Sequence, residues 1–364
     1  MLPSKRKLFS TTNVFKEFYT ESFFEGDALN NCSINEGVDF IVGSKYKGVQ
    51  LYFLDMSTNS VTGTFKDWVA CYTVAYCKKN SIKEFVTQSS GNTANALAAY
   101  CEKNSIKVHI FYLKENKQKL KTRFYQSREF ITLHEVTTTE EQMKVLTKKY
   151  ADEKNIPWLP DFNIQIKANS IRADVVDHIS KVNNIRFDWV SQALSSGYGV
   201  FGFYDGLRRL GVKPSKGYKL IGVQQTAICP FVKHFSPHLL SNDAQKVEEI
   251  LERTLFRSTP TDNLYHLMSN ILTEFGGEFS LVSANLYDKL RPLASKILND
   301  AGIFLAENSS GEYFEKSGII NFIGVLNLIE KSIISEGESV LISITGGCCS
   351  SQENSNSIKP EHIY

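Results

Sequence analysis

Glu84-Phe85-Val86-Thr87-Gln88-Ser89-Ser90-Gly91-Asn92-Thr93-Ala94-Asn95-Ala96-Leu97-Ala98-Ala99-Tyr100-Cys101-Glu102 contains one unit of a fold in miniature. Glu84–Thr87 reads as a short strand and Ala94–Glu102 as a helix, with a turn of small polar residues between them. Upstream, Leu51–Leu54 reads as a strand, and Phe65, Trp68, Val69, Tyr72 and Tyr76 recur at helical spacing, so a helix begins close to Lys66. Downstream come strands at Val108–Leu113 and Phe130–Leu133 and a helical pattern over Glu140–Tyr150. Such alternation from Gly48 onward is the signature of a parallel sheet flanked by helices.

Pro157 and Pro160 bracket Trp158 and end the helical pattern, which places a domain boundary there. Beyond it the alternation resumes, with strands at Asp188–Gln192, Leu220–Gln224 and Val340–Ile344 and helices near Ala244–Arg253, Asn263–Phe275 and Tyr287–Leu298. The expected fold class is α/β, with two parallel-sheet lobes, 1–155 and 156–364, meeting at a cleft. Lys114–Arg123, rich in lysine, is read as a solvated helix face.

A chain of 364 residues with 42% hydrophobic content is long enough for two moderate cores. The 41 basic and 39 acidic residues leave a net charge of +2, which calls for neither nucleic acid nor a membrane surface, and a small-molecule substrate fits better. Met1–Leu8 is basic without the apolar stretch of a secretory signal, and no later run has the length to span a bilayer, so a cytoplasmic location is expected. The seven cysteines match neither a disulfide framework nor a zinc pattern. Cys348 and Cys349, being adjacent, cannot easily ligate one ion together, and no metal site is expected.

Three glycine-marked segments fall where open α/β sheets place ligands, at strand ends and helix starts. In Thr62-Gly63-Thr64-Phe65-Lys66-Asp67, the lysine is either a surface residue on a first helical turn or an imine-forming nucleophile, if its surroundings lower its pKa. Ser89-Ser90-Gly91-Asn92-Thr93 can bind a carboxylate or phosphate through free helix-start amides, or serve as a capping turn with Ser90, Asn92 or Thr93 at the cap. Ser195-Ser196-Gly197-Tyr198-Gly199-Val200-Phe201-Gly202 is the best phosphate cradle in the chain. Its G-x-G-x-x-G spacing is a weak dinucleotide signal, because Gln224 and Gln225, not an acid, end the next strand.

Together with Thr345-Gly346-Gly347, these segments resemble the fold-type II, tryptophan-synthase-like group of pyridoxal 5′-phosphate (PLP) enzymes, and within it threonine synthase, whose lysine pattern is T-G-x-F-K-D. The motifs occur in the group's order, over roughly residues 48–347. The resemblance implies PLP in the cleft between the lobes, held as a Schiff base on Lys66. It also implies Asn92 on the pyridine 3-oxygen, Ser196, Gly197, Tyr198, Gly199 and Val200 around the phosphate, and Thr345 on the ring nitrogen. Ser89, Ser90, Gly91, Asn92 and Thr93 would hold the substrate carboxylate, and Glu307 would lie near the ring. The implied activity is elimination or replacement at the β or γ carbon of a small amino acid, as a PLP-dependent lyase or synthase, and the resemblance also implies a homodimer. Trp68 stands where the threonine-synthase pattern has arginine, and Asp55 where glutamate is usual. With Arg172 the only candidate for binding a substrate phosphate, a serine or threonine dehydratase is the alternative. A non-catalytic binding module on the same fold is the alternative of another class.

Overall fold

The computed structural model describes residues 7–18, 28–89, 91–126, 129–240, 249–255, 260–347 and 358–364. In chain order the strands are β1 (Lys7–Thr11), β2 (Val38–Tyr46), β3 (Val49–Asp55), β4 (Glu84–Gln88), β5 (Lys107–Leu113), β6 (Ile131–Val136), β7 (Trp189–Ala193), β8 (Lys219–Gln225), β9 (Gly277–Val282), β10 (Ser339–Ile344) and β11 (His362–Ile363). The helices are α1 (Val14–Phe18), α2 (Ala28–Cys32), α3 (Lys66–Lys79), α4 (Asn92–Asn104), α5 (Glu140–Lys154), α6 (Phe162–Asn183), α7 (Tyr198–Arg209), α8 (Pro230–Phe235), α9 (Asp262–Phe275), α10 (Ala284–Ala301) and α11 (Ser317–Glu330).

Two sheets result. The larger has the order β1-β2-β3-β10-β7-β8-β9 and the smaller β11-β6-β5-β4. Every pairing in the small sheet is parallel, whereas the large sheet is parallel from β3 to β9 and carries an antiparallel β1-β2-β3 edge. The run Val340-Leu341-Ile342-Ser343-Ile344 is buried throughout because β10 lies between β3 and β7 with layers on both faces. Sheet membership crosses the expected 155/156 boundary twice: β1–β3 belong with the C-terminal strands, and β11 returns to the small sheet. Even the proline segment at the boundary is stitched to β4, since the Val86 amide donates to Pro157 O and the Leu159 amide to Val86 O, both at 2.9 Å.

Two local readings need correction. Over the described part of Ala244–Arg253 the chain is not α-helical, and a short 3-10 turn forms instead at Arg253–Leu255. Here tertiary bonds replace helical ones: the Gln225 side chain takes the Glu252 amide on its oxygen and gives its NH2 to the Glu252 and Leu255 carbonyls. The lysine-rich stretch is likewise two 3-10 turns, Lys114–Lys119 and Thr122–Phe124, and not a solvated helix face. Lys119 pairs with buried Glu252 at 2.9 Å and Lys121 donates to Thr62 O at 2.6 Å, so this stretch joins the small-sheet half of the molecule to the rest.

The five described cysteines are buried free thiols, and Cys348 and Cys349 lie outside the described residues. No helix among the described residues is long and apolar enough to cross a membrane.

Candidate active site

Lys66 is the first residue of α3, and the turn before it is closed by Asp67, whose carboxylate accepts from the Thr62 amide at 3.0 Å and hydroxyl at 2.6 Å. The Phe65 amide donates to Thr345 O at 3.1 Å, and Thr64 forms an antiparallel bridge with Gly346. Two motifs far apart in the chain are thus bonded backbone to backbone. Lys66 faces a cavity of about 580 Å³, and Ser89, Asn92, Thr93, the 195–199 loop and Thr345 line the same space. This volume lies within the roughly 300–1,000 Å³ of ordinary ligand sites. Burial, and after it the Arg172 cation, push the Lys66 ammonium down to about 8, while Glu315 pulls in the other direction.

On the small-sheet side, the N-cap of α4 is Gly91, not one of the three residues favoured by sequence, and the side chain that serves the helix start is that of Ser89. Its hydroxyl accepts from the amides of Gly91 (3.2 Å) and Ala94 (2.8 Å). The amides of Asn92 and Thr93, in the first turn, precede the helical ladder and remain available to an anion. Gly91 does not line the cavity: it has φ +135°, and a Cβ there would come within 2.7 Å of Lys119 Cβ. Ser90 lies outside the described residues.

On the other side, Gly197 caps α7 with φ +83°, a conformation that suits glycine. The first helical bond runs from the Phe201 amide to Gly197 O at 2.9 Å, so the Gly199 and Val200 amides come before the ladder begins. Ser196, Gly197, Tyr198 and Gly199 line the cavity, whereas the Val200 side chain packs inside the fold. Gly202 serves a different end from the other two glycines of the motif. A Cβ there would sit 2.4 Å from Asn169 Cβ and 2.6 Å from Ile166 O, so this glycine lets α7 press against α6.

Glu307 is exposed, paired through the backbone with Tyr313, and does not line the cavity. Among the carboxyls that do, with Glu140 and Asp161, is Glu315, which the sequence reading missed. It accepts from Asn92 Nδ2 at 3.1 Å and Ser317 Oγ at 2.5 Å. Burial first, and then the charge of Glu252, raise its pKa. Gly346 leaves the room it needs, since a Cβ there would meet Glu315 Oε1 at 2.1 Å. The only available signal is an acid just ahead of Ser317-Gly318 and a strongly apolar helix. Trp68 lies fully buried in the core, and Asp55 bonds the Ser57 amide and hydroxyl at 2.9 and 2.7 Å; neither lines the cavity.

Residues 42–346 match the family described as pyridoxal-phosphate dependent enzyme. The chain belongs to this family. It is a PLP-dependent enzyme, and the non-catalytic module falls away as an alternative. Among solved structures, the chain is similar to the diaminopropionate ammonia lyase of Escherichia coli, at 14% identity and a TM-score of 0.65, covering 93% of each chain. It is also similar to maize serine racemase, at 16% identity and a TM-score of 0.62, covering 83% of this chain and 84% of that one. A third is threonine deaminase isoform 2 of Solanum lycopersicum, at 15% identity and a TM-score of 0.59, covering 84% of this chain and 76% of that one. At these identities the likeness concerns the fold. No curated protein matches the chain. The residues of this PLP-dependent enzyme fit its cofactor: a lysine of depressed pKa faces the cavity, and helix-start amides and a glycine turn lie at its wall. The Gln88 Oε1 atom, on another cavity residue, is buried with no partner among the described residues.

Proposed function

We propose that this enzyme holds PLP through Lys66 and uses it to eliminate or replace a group at the β or γ carbon of a small amino acid. The supporting observation is that Lys66, Asn92, the glycine loop and Thr345 share one cavity. In this reading Ser196, Gly197, Tyr198, Gly199 and the Val200 amide receive the cofactor phosphate, Asn92 turns to the 3-oxygen and Thr345 to the ring nitrogen. The loop Ser89–Thr93, through the Asn92 and Thr93 amides, receives the substrate carboxylate.

When bound, PLP supplies an electron sink for the substrate Cα. The chain does the rest. Lys66 Nζ, with a pKa of about 8, is partly neutral near neutral pH and can take and return the Cα proton. The Thr345 hydroxyl carries no charge and does not enforce a proton on the nitrogen it faces, which suits elimination better than transamination. Burial and the Glu252 charge raise the pKa of Glu315, which favours its protonated form at the cavity wall.

A specific observation favours the dehydratase branch over a threonine-synthase-like reaction of O-phosphohomoserine. Among the described residues lining the cavity the cations are Lys66 and Lys144, and Lys144 pairs with Glu140 at 3.3 Å. Arg172, the candidate for a substrate phosphate, is not at the wall. A phosphate dianion without a free cation is costly in a closed site, whereas a hydroxyl leaving group is not. Incubation with L-serine, L-threonine and O-phosphohomoserine, followed by product analysis, tests this. Keto acid and ammonia from serine or threonine are expected; threonine from O-phosphohomoserine alone would overturn the dehydratase branch, and no product from PLP-loaded protein would sink both. The reading includes a homodimer, taken from the resemblance, with gel filtration as the check on assembly.

A further inference from the structure

Arg172, on α6, is 2% exposed and forms no ion pair among the described residues. Its Nη1 donates to Gln192 Oε1 at 2.7 Å and its Nη2 to the Gly199 carbonyl, while Nε has no partner. The rings of Phe65 and Phe203 lie 5.8 Å from its Cζ, and Leu54, Val200, Leu220 and Leu341 line the small void beside it. Burial brings its pKa down to about 9, which leaves it charged at neutral pH. A sealed cation with no carboxylate is costly, and one placed directly behind a helix start points to an anion on the other side.

The peptide between Gly199 and Val200 is the connection. A trans peptide directs its C=O and N–H in opposite senses. Because Arg172 holds the Gly199 carbonyl, the Val200 N–H points away from the guanidinium, in the first turn of α7 before the ladder begins. Hydrogen bonds in series polarise one another, so a cation on the carbonyl makes that N–H a stronger donor. The same guanidinium fixes Gln192, whose Nε2 lies 2.3 Å from where a Cβ on Gly199 would sit.

We infer that Arg172 is a positioning residue for the cofactor phosphate, acting from behind the glycine loop through the Gly199–Val200 peptide and through its charge. This rests on the proposal that PLP occupies the cavity with its phosphate at that loop.

The test compares the affinities of PLP and of pyridoxal, which lacks the phosphate, for the full chain and its Arg172→Gln and Arg172→Lys variants. In Arg172→Gln the preference for PLP over pyridoxal is expected to fall about tenfold or more, as for loss of a charge-assisted contact; the change at Lys66 on losing the Arg172 charge acts on both compounds alike and leaves their ratio unaffected. Arg172→Lys, which keeps the charge, is expected to retain most of the preference. An unchanged preference in a folded Arg172→Gln protein overturns the inference. If circular dichroism shows that Arg172→Gln does not fold, Arg172→Lys decides: a retained preference supports a role for charge, and a tenfold fall overturns it. Wild-type protein that does not distinguish PLP from pyridoxal would instead remove the placement of the phosphate, and the inference with it.

Discussion

Glu252→Gln isolates one of the contacts that tie the small-sheet half of the enzyme to the large one. Glu252 is 2% exposed and accepts from Lys119 Nζ at 2.9 Å, the Lys316 amide at 2.7 Å and the Thr254 amide at 2.8 Å. Burial works against its charge, but Lys119 and these amides outweigh it and hold the carboxyl below its usual pKa. Breaking a fully sealed pair costs about 3–5 kcal/mol. The Lys119 side chain keeps 20% of its surface and can turn to water, and glutamine keeps an oxygen for one of the two amides, which bond different carboxylate oxygens, so the cost here falls below that range, to ~2 kcal/mol. That is about a thirtyfold change in the unfolding equilibrium. The sign with pH follows from the lowered pKa: the stabilisation is present above the unfolded-chain value of about 4.3 and is lost as pH falls through the folded value. Urea unfolding of both proteins, at neutral pH and at about pH 4, measures it. The gap should be near ~2 kcal/mol at neutral pH and shrink in acid; a gap under ~0.5 kcal/mol, or one that acid leaves unchanged, refutes the reasoning.

Other consequences are as direct. Gly202→Ala should destabilise by about 1–3 kcal/mol, because the new methyl group meets Asn169 Cβ and Ile166 O and must push α6 and α7 apart; thermal unfolding reads the change. Asp67 is raised to about 7 by burial. Its folded pKa thus exceeds the unfolded one, so wild type should lose stability relative to Asp67→Asn as pH rises from about 4 to neutrality, measured by parallel denaturation series. PLP capture by Lys66 should rise with pH to a midpoint near the lowered value of about 8, followed by absorbance; a midpoint at the ordinary lysine value would show that the amine is not perturbed.

What could be read in advance was local. The strand-turn-helix unit at Glu84–Glu102, the lysine turn and the glycine loop are set by neighbouring residues, and the structure puts them in one cavity. What could not be read depends on contacts remote in sequence. Glu315 acquires its place from Asn92, Ser317 and the space left by Gly346. The Glu252 segment has a helical composition, yet Gln225 binds its backbone and holds it out of a helix. Strands β1–β3 precede the small sheet in the chain but join the large sheet through the β3–β10 pairing, a partnership that no local pattern announces. The 22-residue helix α6, which carries Arg172, follows directly on the proline segment that was read as a boundary.

Borohydride reduction of the PLP-loaded enzyme, followed by peptide mass spectrometry, tests the central claim most directly. The account predicts a pyridoxyl label on the peptide containing Lys66, and its loss in Lys66→Ala. A label on Lys144, the other lysine lining the cavity among the described residues, or an undiminished label in Lys66→Ala, would contradict it.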